Sequence, residues 1–280
     1  MVTKKKVSLP NHVLKILLRD IELFDISKDD FMNQLISNVK CQYDQLTIKK
    51  MGKSILFNLN SVNERFIKEF SKEHLEESES SVIRRIIMTY IDLPQYKREL
   101  LIFKQSVEII DQAIKARIKL YIEIKGRGVV ISPYFLINSD EGDHNYLFSY
   151  CEEFQEFHVY KLCNINKKNI RILDFSLDEN DSEYIENIKE NFDPFLSYGH
   201  KIKVRFEAEG VRKLIDTPYN RPKVIEVNKD TWNFECSDQK AVEYFSSFGS
   251  NVEILEPLSL REYFMNHFDN GLTMYKRSKI

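Results

Sequence analysis

The chain has 280 residues, 42% hydrophobic and 12% aromatic, ample for packed cores and unlike a disordered protein. Its net charge of −2 marks no global basic field for a polyanion, and its length exceeds the ~100–200 residues of a single core, so two or three domains are expected. Four scattered cysteines (Cys41, Cys151, Cys163, Cys236) lack C-x-x-C spacing, and the longest uncharged run, Gly128 to Ser139, falls far below the ~18 residues of a membrane span; neither zinc fingers, disulfide frameworks nor membrane helices are indicated, and a soluble, cytoplasmic protein is expected.

At the amino end, "MVTKKKVSLPNHVLKILLRD" is basic, but Lys15, Arg19 and Asp20 interrupt its apolar run and no small-residue cleavage site follows, so it is not read as a signal peptide. Residues 1–60 hold ten Lys/Arg against six Asp/Glu, whereas 138–160 hold six acids and no Lys or Arg. A nucleic acid would find its better surface at the amino end. Within the first hundred residues one unit occurs twice. A short alternating segment (Val7, Leu9; then Ile55, Phe57, Leu59) leads into an amphipathic helix (Val13, Leu14, Leu17, Leu18, Ile21; then Val62, Phe66, Ile67, Phe70). A serine spaced as an N-cap (Ser27; then Ser78) opens a second helix (Phe31, Leu35, Ile36; then Val82, Ile86, Ile87). Leu9 to Ser27 is 18 residues and Leu59 to Ser78 is 19. One unit alone leaves its strand without a partner, whereas two in one chain can pair their strands antiparallel and enclose one core.

This pattern resembles the ribbon-helix-helix fold as an intramolecular pseudo-dimer, with one unit over residues 1–50 and the second over 51–93. The resemblance implies a ribbon that enters a DNA major groove while the start of each second helix sits on backbone phosphate. It implies an outward face of Lys4, Lys6 and Ser8 from one strand and Ser54, Leu56 and Asn58 from the other, with Ser27, Lys28 and Ser78 toward phosphate. Leu56 stands where a polar base-reading residue is expected. Glu76 and Glu79 crowd the second helix start with negative charge, so the second unit is expected to grip phosphate poorly.

Residues 94–117 read as one linking helix, with Leu100, Leu101, Phe103, Val107, Ile110 and Ile114 at helical spacing. Short strands follow over 118–176: Leu120–Lys125, Val129–Ile131, Phe135–Asn138, the hairpin "NYLFSYCEEFQEFHVYKL" and Ile170–Phe175, with turns at Gly126/Gly128 and Asp140–Gly142. They predict a small antiparallel barrel. Gly126 and Gly128 do not form a dinucleotide loop, because Ile131 stands at the third glycine position and no helix follows. In the hairpin, Tyr146, Phe148 and Tyr150 alternate with Leu147 and Ser149. Their rings either fill the barrel or line a binding surface.

Arg127, "SPYFL" around Pro133, "NYLFSYC" and "FHVYKLCNI" together resemble the WYL domain, a small SH3/Sm-like barrel named after a Trp-Tyr-Leu triplet. Asn145 takes the place of the Trp, Tyr146 and Leu147 match, His158 and Lys161 stand where arginines are usual, and Asn164 replaces another basic residue. The resemblance implies that Arg127, Tyr146, His158 and Lys161 hold a nucleic acid or nucleotide-like anion, by stacking and by charge-assisted hydrogen bonds to phosphate.

After a linker over 177–200, residues 201–280 alternate as strand "KIKVRFE", helix "EGVRKLID", a hairpin "KVIEV"/"WNFEC" across Asn228–Asp230, helix "DQKAVEYFSSFG" closed by Gly249, strand "VEILEP" and a last helix "SLREYFMNHFDNG". That βαββαβ order is ferredoxin-like. It is similar to the extension that follows many WYL domains, which implies that Arg221 of "PYNRP" faces the barrel of a partner subunit. Phe245, Phe248, Phe264 and Phe268 are more apolar surface than one small unit hides, so a homodimer through this tail is expected.

The whole α+β chain is most similar to the WYL accessory proteins found beside type VI CRISPR ribonucleases, which implies single-stranded RNA as ligand and a CRISPR ribonuclease as partner. Two other readings stay open: a DNA-binding transcriptional repressor, and a dimeric adaptor that docks on a partner nuclease without binding nucleic acid itself. No H-E-x-x-H, P-loop, G-x-S-x-G or paired-carboxylate spacing occurs, the six histidines are scattered, and "SDEGD" and "DENDSE" read as solvated loops. Neither enzyme activity nor a cofactor or metal is expected.

Overall fold

The alternating residues of the two repeats form strands β1 (Thr3–Leu9) and β2 (Lys53–Leu59), which pair antiparallel from Thr3↔Leu59 to Leu9↔Lys53. This is seen in a computed structural model that describes residues 3–39, 52–73, 78–138, 144–166, 168–176, 182–218 and 220–277. Because side chains alternate across a strand, Val7, Leu9, Ile55, Phe57 and Leu59 all turn inward and are buried. Helices α1 (Asn11–Leu23) and α2 (Lys28–Asn38) follow β1, and α3 (Ser61–Glu73) and α4 (Glu79–Ile91) follow β2. Both predicted caps are made: Ser27 Oγ accepts from Asp30 N at 3.1 Å and Ser78 Oγ from Ser81 N at 3.2 Å. Two residues assigned to apolar stripes lie outside them, Leu18 at 47% and Val62 at 73% exposure. Leu18 sits at the margin of a stripe centred on Val13, Leu14 and Leu17, and Val62 lies in the first turn of α3.

The expected linking helix is two, α5 (Gln95–Ile102) and α6 (Lys104–Ala116). Neither Pro nor Gly makes the break; Phe103 leaves helical backbone at φ −98°, ψ 22°, and its buried ring packs edge-on against Phe24 with centroids 6.0 Å apart. Five strands follow: β3 (Ile118–Ile124), β4 (Arg127–Asn138), β5 (Asn145–Cys151), β6 (Glu156–Lys161) and β7 (Arg171–Ser176). Ile124 pairs with Arg127 across the two-residue turn Lys125–Gly126, both at positive φ (50° and 82°), a conformation that suits glycine. Two predicted strands are one, because β4 runs through Pro133 and absorbs it at a bulge opposite β5. The strands form one antiparallel sheet of order β6-β5-β4-β3-β7. Among the described residues no ladder joins the edges β6 and β7; a single bridge, Ile124↔Ile165, brings the turn after β6 to the end of β3.

These elements belong to one compact unit, Met1–Glu179, and share a continuous apolar core; a second unit comprises Asn180–Ile280. The expected linker 177–200 carries a helix, α7 (Ser182–Glu190). Next come β8 (Lys201–Phe206), α8 (Ala208–Asp216), β9 (Lys223–Asn228), β10 (Thr231–Glu235), α9 (Asp238–Phe245), β11 (Val252–Glu256) and α10 (Leu258–Arg277). The predicted βαββαβ order is found, in an antiparallel sheet of order β11-β8-β10-β9. Phe245, Phe248 and Phe264 fill this unit's own core, so they are not surplus surface; only Phe268, 40% exposed, remains outside. No helix among the described residues is long and apolar enough to cross a membrane.

Candidate nucleic-acid interface

The β1–β2 register brings the predicted ribbon residues onto one outward face as three opposed pairs: Lys4 with Asn58, Lys6 with Leu56, and Ser8 with Ser54. Lys4, Lys6, Ser54, Leu56 and Asn58 are exposed, Ser8 is half-buried, and the two serine hydroxyls lie 3.0 Å apart. Asn58 is already engaged: its backbone N–H donates to Asp29 Oδ1 at 2.9 Å and its amide to Oδ2 at 2.7 Å. Those bonds, the backbone one first, hold the Asp29 carboxyl below the usual carboxylate range. Asp29 and Asp30 occupy the first turn of α2, beside Ser27 and Lys28, so this helix start carries net negative charge.

At the second repeat part of the expected negative charge is compensated. Glu79, at the start of α4, is paired with Lys5 from the inward side of the ribbon and so presents less uncompensated charge. Arg84, outside the set that the sequence predicts, donates from Nε to Ser8 O at 3.1 Å and from Nη1 toward Ser81 Oγ at 3.5 Å. Burial pulls its guanidinium below its ordinary value. One turn of helix separates Ser81 from Arg84, a signal present in the sequence. Ser78, Ser81 and Arg84 thus lie together at this end of α4; Glu76 lies outside the described residues.

Of the four sheet residues expected to bind a ligand, the strand pleat separates two from two. Arg127 is exposed, lies 3.2 Å from Glu153 Oε2, and its guanidinium sits 4.7 Å over the Phe154 ring. Phe154, 45% exposed, abuts His158 at 5.4 Å, which stacks on Tyr160 at 5.8 Å with planes 17° apart. A series of Arg127, Phe154, His158 and Tyr160 results, exposed at Arg127 and Phe154 and half-buried at His158 and Tyr160. The His158 Nε2 lies 3.0 Å from Glu156 Oε1 without hydrogen-bond alignment, and the facing Ser149 Oγ is also buried without a partner among the described residues. Tyr146 is buried, its ring edge-on to His144 at 6.2 Å, with exposed Lys161 opposite it in the register. Phe148, fully buried, is stacked between Phe135 (4.8 Å) and Phe157 (5.2 Å). Packing thus accounts for the rings of β5, and on β6 Tyr160 packs against the core of the first unit while His158 is half-buried, so Phe154 is the exposed ring of the series.

Asn145, at the triplet's Trp position, is a junction. Its backbone and side-chain nitrogens donate to Glu99 Oε2 at 2.6 and 2.7 Å, and its amide also donates to Tyr96 O at 2.8 Å, which ties β5 to α5. Cys163 N donates to the other Glu99 oxygen at 3.3 Å; burial, then the Glu99 charge, pushes the Cys163 thiol up to about 12. Cys163 and Asn164 also line a cleft of about 420 Å³ whose walls include Ser27, Lys125 and Lys168. In the second unit Arg221 is exposed, with Nη1 3.5 Å from Leu214 O.

Residues 198–267 match the WCX domain family. No curated protein matches the chain. A solved structure described as a CRISPR Cas-related protein is similar over 100% of this chain and 96% of its own, with a TM-score of 0.67 at 15% identity. The proteasome accessory factor B/C (PafBC) of Arthrobacter aurescens is similar over 79% of this chain and 39% of its own, with a TM-score of 0.31 at 14% identity.

Proposed function

We propose that this chain, which carries a WCX domain of the WYL-associated type and has the fold of a CRISPR Cas-related protein, is a nucleic-acid-binding accessory or regulatory protein with single-stranded RNA as its ligand. Its amino-terminal half acts as a ribbon-helix-helix pseudo-dimer and its five-stranded sheet as a WYL-type, SH3/Sm-like barrel. The observation that carries this reading is the outward ribbon face, where Lys4 and Lys6 stand exposed on a ledge fixed by an apolar core. The exposed Phe154 ring, with Arg127 beside it, adds a surface of the kind on which an unpaired base stacks. The Arg127–Glu153 contact is exposed on both sides and worth little, so phosphate displaces it readily. Asp29 and Asp30 oppose phosphate at α2, which favours a single strand over a duplex that must satisfy both helix starts.

The protein is non-catalytic in this reading and forms a homodimer that works beside a CRISPR ribonuclease. The exposed Tyr263, Met265, Phe268 and Leu272 of α10 supply apolar surface for such assembly, and they equally favour a second reading, an adaptor that docks on a partner without touching nucleic acid. Gel shifts of the full chain with a labelled single-stranded RNA and a duplex DNA of equal length, over a salt series, separate the readings. RNA shifted at lower protein concentration than duplex supports the proposal. Absence of any shift at low salt leaves the adaptor.

A further inference from the structure

Glu99 of α5, His144 just before β5 and Cys163 in the turn after β6 are remote in sequence, and no ligand-spacing motif connects them. The fold nonetheless brings a carboxylate oxygen, an imidazole nitrogen and a sulfur within 4.8 Å of one another. Glu99 Oε1 lies 3.3 Å from His144 Nδ1, and Nδ1 lies 3.8 Å from Cys163 Sγ. Glu99 and His144 are buried and Cys163 is half-buried. Zinc bonds of about 2.0–2.2 Å to oxygen or nitrogen and about 2.3 Å to sulfur, set at tetrahedral angles, separate ligands by roughly 3.4 Å (N···O) and roughly 3.6 Å (N···S). The N···O and N···S separations, 3.3 and 3.8 Å, are close to those edges, and the carboxylate oxygen and sulfur lie within 4.8 Å.

The two oxygens of Glu99 are treated differently. Oε2 takes two short bonds from Asn145, at 2.6 and 2.7 Å, whereas Oε1 makes longer contacts, 3.3 Å each, with His144 Nδ1 and Cys163 N. The strong pair fixes the carboxylate, as outer-shell donors fix metal ligands, and leaves Oε1 directed at the histidine and the cysteine. Since Cys163 also lines the cleft, a fourth coordination position would open on that side.

We propose that Glu99, His144 and Cys163 bind one zinc-class divalent cation. A set of one thiolate, one imidazole and one carboxylate selects zinc or a late first-row neighbour and disfavours magnesium and calcium, which prefer oxygen alone. Binding converts the thiol to thiolate and releases its proton to solvent.

The test uses the full chain, stripped with chelator and then titrated with Zn²⁺ or Co²⁺ alone. One equivalent of Zn²⁺ is expected to survive gel filtration, and Co²⁺ should give a near-ultraviolet thiolate-to-metal charge-transfer band. Cys163→Ser should abolish that band and weaken Zn²⁺ binding by roughly tenfold or more, while Cys151→Ser and Cys236→Ser keep both. In the unmutated protein, Zn²⁺ should protect Cys163 from alkylation by iodoacetamide, read by peptide mass spectrometry, which needs no variant to fold. Failure to retain Zn²⁺, retention unchanged in folded Cys163→Ser, or alkylation of Cys163 unaffected by Zn²⁺ would overturn the proposal.

Discussion

Arg98 holds Asp20 in a two-pronged ion pair inside the first unit, Nε to Oδ2 at 2.6 Å and Nη2 to Oδ1 at 2.9 Å. Tyr90 donates to the same carboxylate at 2.7 Å, so α1, α4 and α5 meet at one buried charge. Burial alone would lower the guanidinium, but the hydrogen bonds and charge of Asp20 outweigh it and hold it above its ordinary value. Arg98→Met strands a buried carboxylate and is expected to cost about 3–5 kcal/mol, measured as a lower urea midpoint. Adding Asp20→Asn should recover much of that loss.

On the ribbon, Lys4→Ala with Lys6→Ala should flatten the dependence of log K on log salt by roughly 1.4 units for single-stranded RNA, about 0.7 per phosphate contact. Lys28→Ala should do less, because Asp29 and Asp30 already offset it. An unaltered slope in the double variant would assign the ribbon to packing.

On the sheet, Phe154→Ala should weaken RNA binding by about 1–3 kcal/mol at every salt concentration, since stacking depends little on ions. Tyr146→Ala should instead lower stability, on the order of 3 kcal/mol, because its ring is buried. Binding and melting measured on the same two proteins distinguish a surface ring from a core ring.

Much of the fold is legible in the sequence where the governing interaction is local. The caps at Ser27 and Ser78 act over three residues, and the alternation in β1 and β2 names two faces directly. Tyr146 enters as a ligand contact through its match to the WYL triplet, and period-2 alternation alone does not say that its face is one the fold covers. Asp20 read as a break in an apolar run, because its partner Arg98 lies 78 residues away. The clamp of Asp29 on Asn58 spans 29 residues, and Glu99 meets Asn145 across 46. Such pairs leave no spacing signature.

The Asp29 clamp predicts a pH dependence. Its carboxyl titrates lower folded than unfolded, so its contribution is fully present above the unfolded carboxylate value and is lost as pH falls through the lower folded one. Asp29→Asn should lower stability at neutral pH and flatten the acid limb of a melting-temperature profile. A variant with the wild-type acid limb would remove Asp29 from that account.

In the second unit, Gly210 of α8 packs so closely that a Cβ would stand 2.2 Å from Asn251 O, a backbone atom. Gly210→Ala should therefore destabilise this unit by about 1–3 kcal/mol despite the better helix propensity of alanine. Near-ultraviolet circular dichroism of Trp232, the only tryptophan, reports on this unit during urea unfolding.

Because both halves of the ribbon lie in one chain, their opposed residues need not match. Lysine faces asparagine, lysine faces leucine, and only the third pair, serine on serine, is the same from either side. Both cations of the outward face are on β1. A polymer lying along the ledge meets charge on one flank and neutral groups on the other, so the surface has a heading. A palindrome gains nothing there from its symmetry, while a strand with distinct 5′ and 3′ ends has one orientation that fits better than its reverse.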